Sequence, residues 1–104
     1  MVTFLMISKH AAADCPVNNP ETKKVMIEGF SKMEELAKKH GVKIVGTWAV
    51  FSEHLVVQVF EAPSYEAMDA FGMEPPILKM TFWTTSEFKV AAGAQEMMQM
   101  VMQA

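Results

Sequence analysis

The chain has 104 residues, 51% of them hydrophobic and 20% charged, with a formal net charge of −3. That length supports one domain, residues 1–104, around a single core, and the excess of acid gives no electrostatic case for nucleic acid or an anionic membrane surface as a partner. One cysteine excludes an internal disulfide, and no apolar run approaches the roughly 20 residues that cross a bilayer.

The opening stretch Val2–Ser8 is apolar on both faces of a strand, and the loop Ala11–Asn19 follows it. With the small residues before Cys15 this region resembles a secretory signal, but it has no basic start, Lys9 and His10 interrupt it, and Asp14 directly precedes the cysteine. The expected location is cytoplasmic. Asn19 is placed to cap a helix, with Pro20 at its first position and Glu21 at the positive end of the dipole. Met26, Phe30, Met33 and Ala37 then recur at helical spacing until Gly41 ends the run.

Val42–Phe51 and Leu55–Glu61 are rich in β-branched and aromatic residues, and the short Ser52–His54 link predicts a hairpin. Pro63 and Ser64 start a second helix through Tyr65, Met68 and Phe71, stopped at Gly72. After the break at Glu74–Pro76, with room for one helical turn through Met80, the alternation from Thr81 to Val90 predicts a fourth strand. A final amphipathic helix is expected over about residues 94–103, after a core of about residues 1–90; Ala94, Met97, Met98 and Val101 form its apolar stripe.

The order is βαββαβ plus a C-terminal helix: an α+β, ferredoxin-like sandwich with spatial strand order 4-1-3-2 and helices on one face. Strands 1 and 3 then run antiparallel, so His10 meets His54, Ser8 meets Val56, Met6 meets Gln58 and Phe4 meets Phe60, all on one face. Leu5 and Ile7, with Val57 and Val59, fall on the other. That aliphatic set is the expected bed for the helices, leaving the histidines on the uncovered face. A face carrying Phe4, Met6, Val56 and Phe60 is too apolar for water, so a homodimer closing around an enclosed lumen is expected.

In element order, and in the stretch from His54 through Val56-Val57-Gln58-Val59-Phe60-Glu61-Ala62-Pro63-Ser64-Tyr65 to Ala67, the chain resembles the dimeric α/β-barrel superfamily over roughly residues 1–90. That group includes muconolactone isomerases and small haem-degrading and quinol monooxygenases. The resemblance implies a dimeric α/β barrel with a pocket for a small-molecule ligand, without identifying the occupant or a catalytic residue.

The residues that carry chemistry are His10, Cys15 and His54. Two imidazoles and a thiolate suit zinc or copper, with haem a weaker alternative. Met73 or Met80 could add an axial thioether to a copper site. The pocket around them would use Phe4, Met6, Ser8, Gln58 and Phe60. No tight Cys-x-x-Cys or His-x-x-x-His pair exists, so ordinary strand-end histidines and a buried loop thiol are the alternative. A metal-free site would use His10 or His54 as general base or acid, oriented by Glu53 or Asp14, or Cys15 as a nucleophile. The enzyme reading is then a cofactor-independent isomerase or monooxygenase; a non-catalytic structural or regulatory oligomer is the third possibility. His40 reads as a helix cap, the crowd of methionines in the tail as a flexible apolar surface for a second copy, and Trp48 and Trp83 as core or interface residues.

Overall fold

The computed structural model describes all 104 residues. Strand β1 (Val2–Lys9) leads to helix α1 (Pro20–Lys39), the strands β2 (Lys43–Val50) and β3 (Leu55–Ala62), the helices α2 (Tyr65–Gly72) and α3 (Pro75–Leu78), strand β4 (Thr85–Ala91) and helix α4 (Ala94–Gln103). The four strands form one antiparallel sheet in the order β2-β3-β1-β4. This is the βαββαβ sandwich with an extra C-terminal helix that the residue pattern predicts.

Local chemistry fixes the ends of α1. Asn19 Oδ1 accepts from the backbone N–H groups of Glu21 (3.0 Å) and Thr22 (3.2 Å), and Pro20 follows at the first helical position. At the other end Gly41 adopts φ +70°, with Gly41 N–H donating to Lys38 O (3.1 Å) and Val42 N–H to Ala37 O (2.8 Å). Those two bonds make a Schellman motif, which needs the left-handed conformation that glycine adopts without steric cost. Ser64 caps α2 through its Oγ, which accepts from Ala67 N–H at 3.1 Å.

The register between β1 and β3 matches the expectation residue for residue, from Phe4 opposite Phe60 to Ser8 opposite Val56. The face is reversed. Helices lie on the side carrying Phe4, Met6, Gln58 and Phe60, where Phe4, Phe60 and Phe71 are fully buried with Met33, Ala37, Val42, Ala62 and Met68. Leu5, Ile7, Val57 and Val59 are only half-buried, on the side that no helix covers. Long Phe and Met side chains of the sheet span the gap to α1, where Phe4 and Phe60 join Met33 and Ala37 in one buried cluster with Met6 and Phe30 packed against it.

The fourth strand also departs from expectation. Lys79–Trp83 forms a 3-10 turn continuing from α3, and the strand begins only at Thr85. The hydroxyls of Thr81 and Thr84 donate to Leu78 O (2.6 Å) and Met80 O (2.9 Å), diverting the backbone from strand pairing. The alternating pattern is retained only from Thr85, where Ser86, Phe88 and Val90 pair with Ser8, Met6 and Phe4. On the outer face β2 carries a bulge between Ile44 and Gly46, and the Trp48 indole lies over Gly46, within 2.4 Å of where a Cβ would sit.

Candidate functional site

His10 follows the last residue of β1, and its backbone N–H donates to His54 O at 3.1 Å, extending the β1–β3 ladder by one step. His54 closes the 3-10 turn Phe51–Glu53 in the left-handed conformation, φ 51° and ψ 50°, the only positive-φ residue besides Gly41. A side chain is uncommon there and costs about 1–2 kcal/mol relative to a right-handed conformation. The two imidazole rings stand 5.2 Å apart, edge to face, at 74°.

Cys15 joins them because its loop is tied to the start of α1. Asn19, while capping the helix, donates from Nδ2 to Ala13 O (3.1 Å), and the Thr22 hydroxyl donates to Asp14 O (2.7 Å). Cys15 O accepts from both Asn18 N–H (2.9 Å) and Asn19 N–H (2.8 Å). These bonds fold Ala11–Asn19 back over the sheet and bury the thiol.

One donor atom each from His10, Cys15 and His54 lies within 4.8 Å of the others. A tetrahedral zinc would hold such atoms about 3.3–3.6 Å apart, so side-chain movements of the order of 1 Å complete the geometry. His10 Nε2 is buried with no hydrogen-bond partner. A buried nitrogen without a partner is costly, and a metal ion relieves that cost through its lone pair. Burial foremost, then the adjacent His54, lowers the His10 pKa against the opposing pull of Asp14, favouring the neutral imidazole that metals bind. The cluster can therefore coordinate a metal ion.

The cluster opens on a cavity of about 490 Å³ between the sheet and the helices. Met6, Ser8, Gln58 and Phe60 line it, and Phe4 lies in the core against Tyr65 and Phe88 instead. The histidines are thus on the helix-covered face, not on an open one. The cavity wall also includes helix residues that sequence reasoning assigned only to the core, Met26, Phe30 and Met33 among them. Once the correct face is chosen, their helical spacing is the signal that finds them. No lysine or arginine lines the space.

Gln58 is buried and held, donating from Nε2 to Thr47 Oγ1 (3.1 Å) and the Met33 sulfur (3.3 Å), while Ser8 and Ser86 share a 3.0 Å hydrogen bond between hydroxyls. Trp83, placed by the 3-10 turn rather than by a strand, sets its indole 5.8 Å from the His10 ring, and its Nε1 is buried without a partner. Met73 and Met80 line the same cavity, Met73 exposed and the Met80 sulfur against Gly29 of α1. Glu53 is exposed and forms no hydrogen bond to either histidine. His40 caps α1 through its backbone, while its Nε2 bonds Glu74 Oε2 at 2.9 Å, away from the cluster.

No family model matches the chain, and no curated protein matches it. Solved structures share its fold. The protein Atu4242 from Agrobacterium tumefaciens is 18% identical, with a TM-score of 0.60 over 90% of this chain and 94% of its own. A muconolactone isomerase is 14% identical, with a TM-score of 0.59 over 89% and 90%. A cofactor-independent oxygenase from Streptomyces nogalater is 15% identical, with a TM-score of 0.53 over 89% and 92%. The chain thus has the ferredoxin-like architecture of these small proteins, and at such identities the likeness is one of fold. No helix is long and apolar enough to cross a membrane.

Proposed function

We propose that this protein is a small homodimeric metal-binding protein that holds one zinc or copper ion between His10, Cys15 and His54, with the remaining coordination position facing the cavity. The observation that carries the proposal is the convergence of these donors, from three separate segments, to within 4.8 Å. Zinc is the better fit, because three protein ligands and an open fourth position are the pattern of reactive zinc sites, and the Met80 thioether packs on Gly29 of α1. Haem is not favoured, since the three donors converge on a single point from one end of the cavity.

Protein purified without a metal-affinity tag should contain one equivalent of metal by elemental analysis, and His10→Ala, Cys15→Ser and His54→Ala should each lose most of it. Wild-type protein that neither carries nor takes up a stoichiometric metal would contradict the proposal.

The cavity also supports a second reading, an isomerase or cofactor-independent oxygenase like the enzymes that share the fold, in which the neutral His10 acts as general base. It predicts turnover in metal-free protein that His10→Ala abolishes. A purely structural oligomer is disfavoured, because a cavity of about 490 Å³ opens directly on the cluster.

A further inference from the structure

We infer that the cavity takes an apolar molecule carrying one neutral carbonyl oxygen, and that the Trp83 indole N–H donates to that oxygen. Two buried polar atoms lie unpartnered at this end of the space, His10 Nε2 and Trp83 Nε1, on rings whose centroids are 5.8 Å apart. What relieves them differs. A metal ion satisfies His10 through its lone pair, whereas an indole N–H only donates, so a metal leaves it as costly as before. The donor is also fixed in place, because the Thr81 and Thr84 hydroxyls donate to Leu78 O (2.6 Å) and Met80 O (2.9 Å) and hold the turn that ends at Trp83. Water is a poor answer: it needs about two to four polar partners, and with His10 on the metal it would leave bonds unmade in a space walled by Met6, Phe30, Met33 and Phe71.

Charge and hydrogen bonding then define the acceptor. No lysine or arginine lines the cavity, its one carboxylate, Asp69, is exposed, and Asp14, whose charge acts on His10, offsets the single positive charge that a divalent metal with one thiolate adds. An anion finds no counter-charge there, and a neutral oxygen needs none. Ser86 is exposed, so the hydroxyl hydrogen left over from the single Ser8–Ser86 bond is within reach of water, and the need for an acceptor falls on Trp83. The choice of carbonyl over hydroxyl rests on the metal reading above: with His10 Nε2 on a metal, the acceptor beside Trp83 is taken, and a carbonyl has no hydrogen to place. The volume, about 490 Å³, has room for an apolar body of about ten to twenty non-hydrogen atoms.

The test uses the full chain, isotopically labelled at nitrogen and loaded with one equivalent of zinc that elemental analysis verifies. Its two indole N–H signals are followed by NMR, and Trp48→Phe, at an exposed position, assigns them by elimination. The probes are 2-adamantanone, its isostere 2-methyleneadamantane, 2-adamantanol and adamantane-1-carboxylate. The ketone should move the Trp83 signal downfield and bind at least about fivefold more tightly than each of the other three, as one net hydrogen bond provides. Trp83→Phe should erase its advantage over the methylene compound. A Trp83 signal that the ketone leaves in place, equal or tighter binding of any other probe, or an advantage that survives Trp83→Phe overturns the inference and leaves the metal reading standing. Failure to take up zinc overturns the metal reading and, with it, the choice of a carbonyl.

Discussion

His54 is the residue where local stability and the proposed metal binding part. Its left-handed backbone is the conformation glycine adopts freely, so an imidazole there costs about 1 kcal/mol that a glycine would not. His54→Gly should leave the stability of the metal-free protein within about 1 kcal/mol of wild type, since relieved strain offsets the greater entropy of the unfolded glycine. The same variant should lose metal uptake. Chemical denaturation paired with metal analysis checks both, and a large loss of stability would mark His54 as a structural residue. Glu74 carries a different dependence. The hydrogen bond from His40, and then Lys39 at 2.9 Å, hold its carboxyl below the ordinary glutamate range. A depressed carboxylate pKa contributes stability fully above the ordinary value of about 4.3, and that contribution disappears as pH falls through the folded value. Glu74→Gln should therefore be less stable than wild type near pH 6, with the difference shrinking in acid; a difference that grows in acid would refute the assignment.

Two glycines set how the helices meet their neighbours. A Cβ on Gly29 of α1 would come within 2.7 Å of the Met80 sulfur and 2.9 Å of Pro76 O, so α1 and the α3 region approach only because that side chain is missing. Gly29→Ala should destabilise the fold by about 1–3 kcal/mol, as overpacking of a tight contact does, and should disturb the cavity wall at Met80. Gly41→Ala, at φ +70° but with open contacts to Pro63, should cost about 1 kcal/mol by backbone strain alone. Thermal unfolding of both variants checks the ranking. The element scale also explains what the sequence made legible. Helix caps, the β1–β3 register and the pairing of His10 with His54 follow from local chemistry and period-two alternation. The covered face does not, because both faces are apolar and alternation fixes parity without choosing a side. The 3-10 turn at Lys79–Trp83 was hidden because threonine hydroxyl bonds to the preceding turn look, in sequence, like strand alternation. The return of Cys15 depends on side-chain bonds of Asn19 and Thr22 to carbonyls six and eight residues upstream, which no periodicity reveals.

At the scale of the whole molecule, much apolar surface is without cover. The outer sheet face presents Leu5, Ile7, Val57 and Val59, half-buried, beside Trp48, which is 55% exposed, and every residue of α4 is exposed, including the Met97, Met98 and Val101 stripe. The molecule measures 51 × 31 × 17 Å, long because α4 stands apart from the sandwich. Apolar surface of this kind is where the homodimer proposed above would close, one copy against another. Trp48→Glu should convert dimer to monomer by light scattering, and removal of residues 94–104 should weaken association; a wild-type chain that is monomeric at micromolar concentration would contradict both. The sheet face of the proposed dimer lies opposite the proposed metal site, so the monomeric variant should still bind an ion. X-ray absorption at the metal edge, on wild-type protein and Cys15→Ser loaded with one equivalent of zinc, reaches the central claim most directly. The wild type should show a sulfur at about 2.3 Å and two imidazole nitrogens near 2.0–2.1 Å, with the sulfur lost in the variant. A first shell of oxygen alone, or one unchanged by Cys15→Ser, would contradict the site.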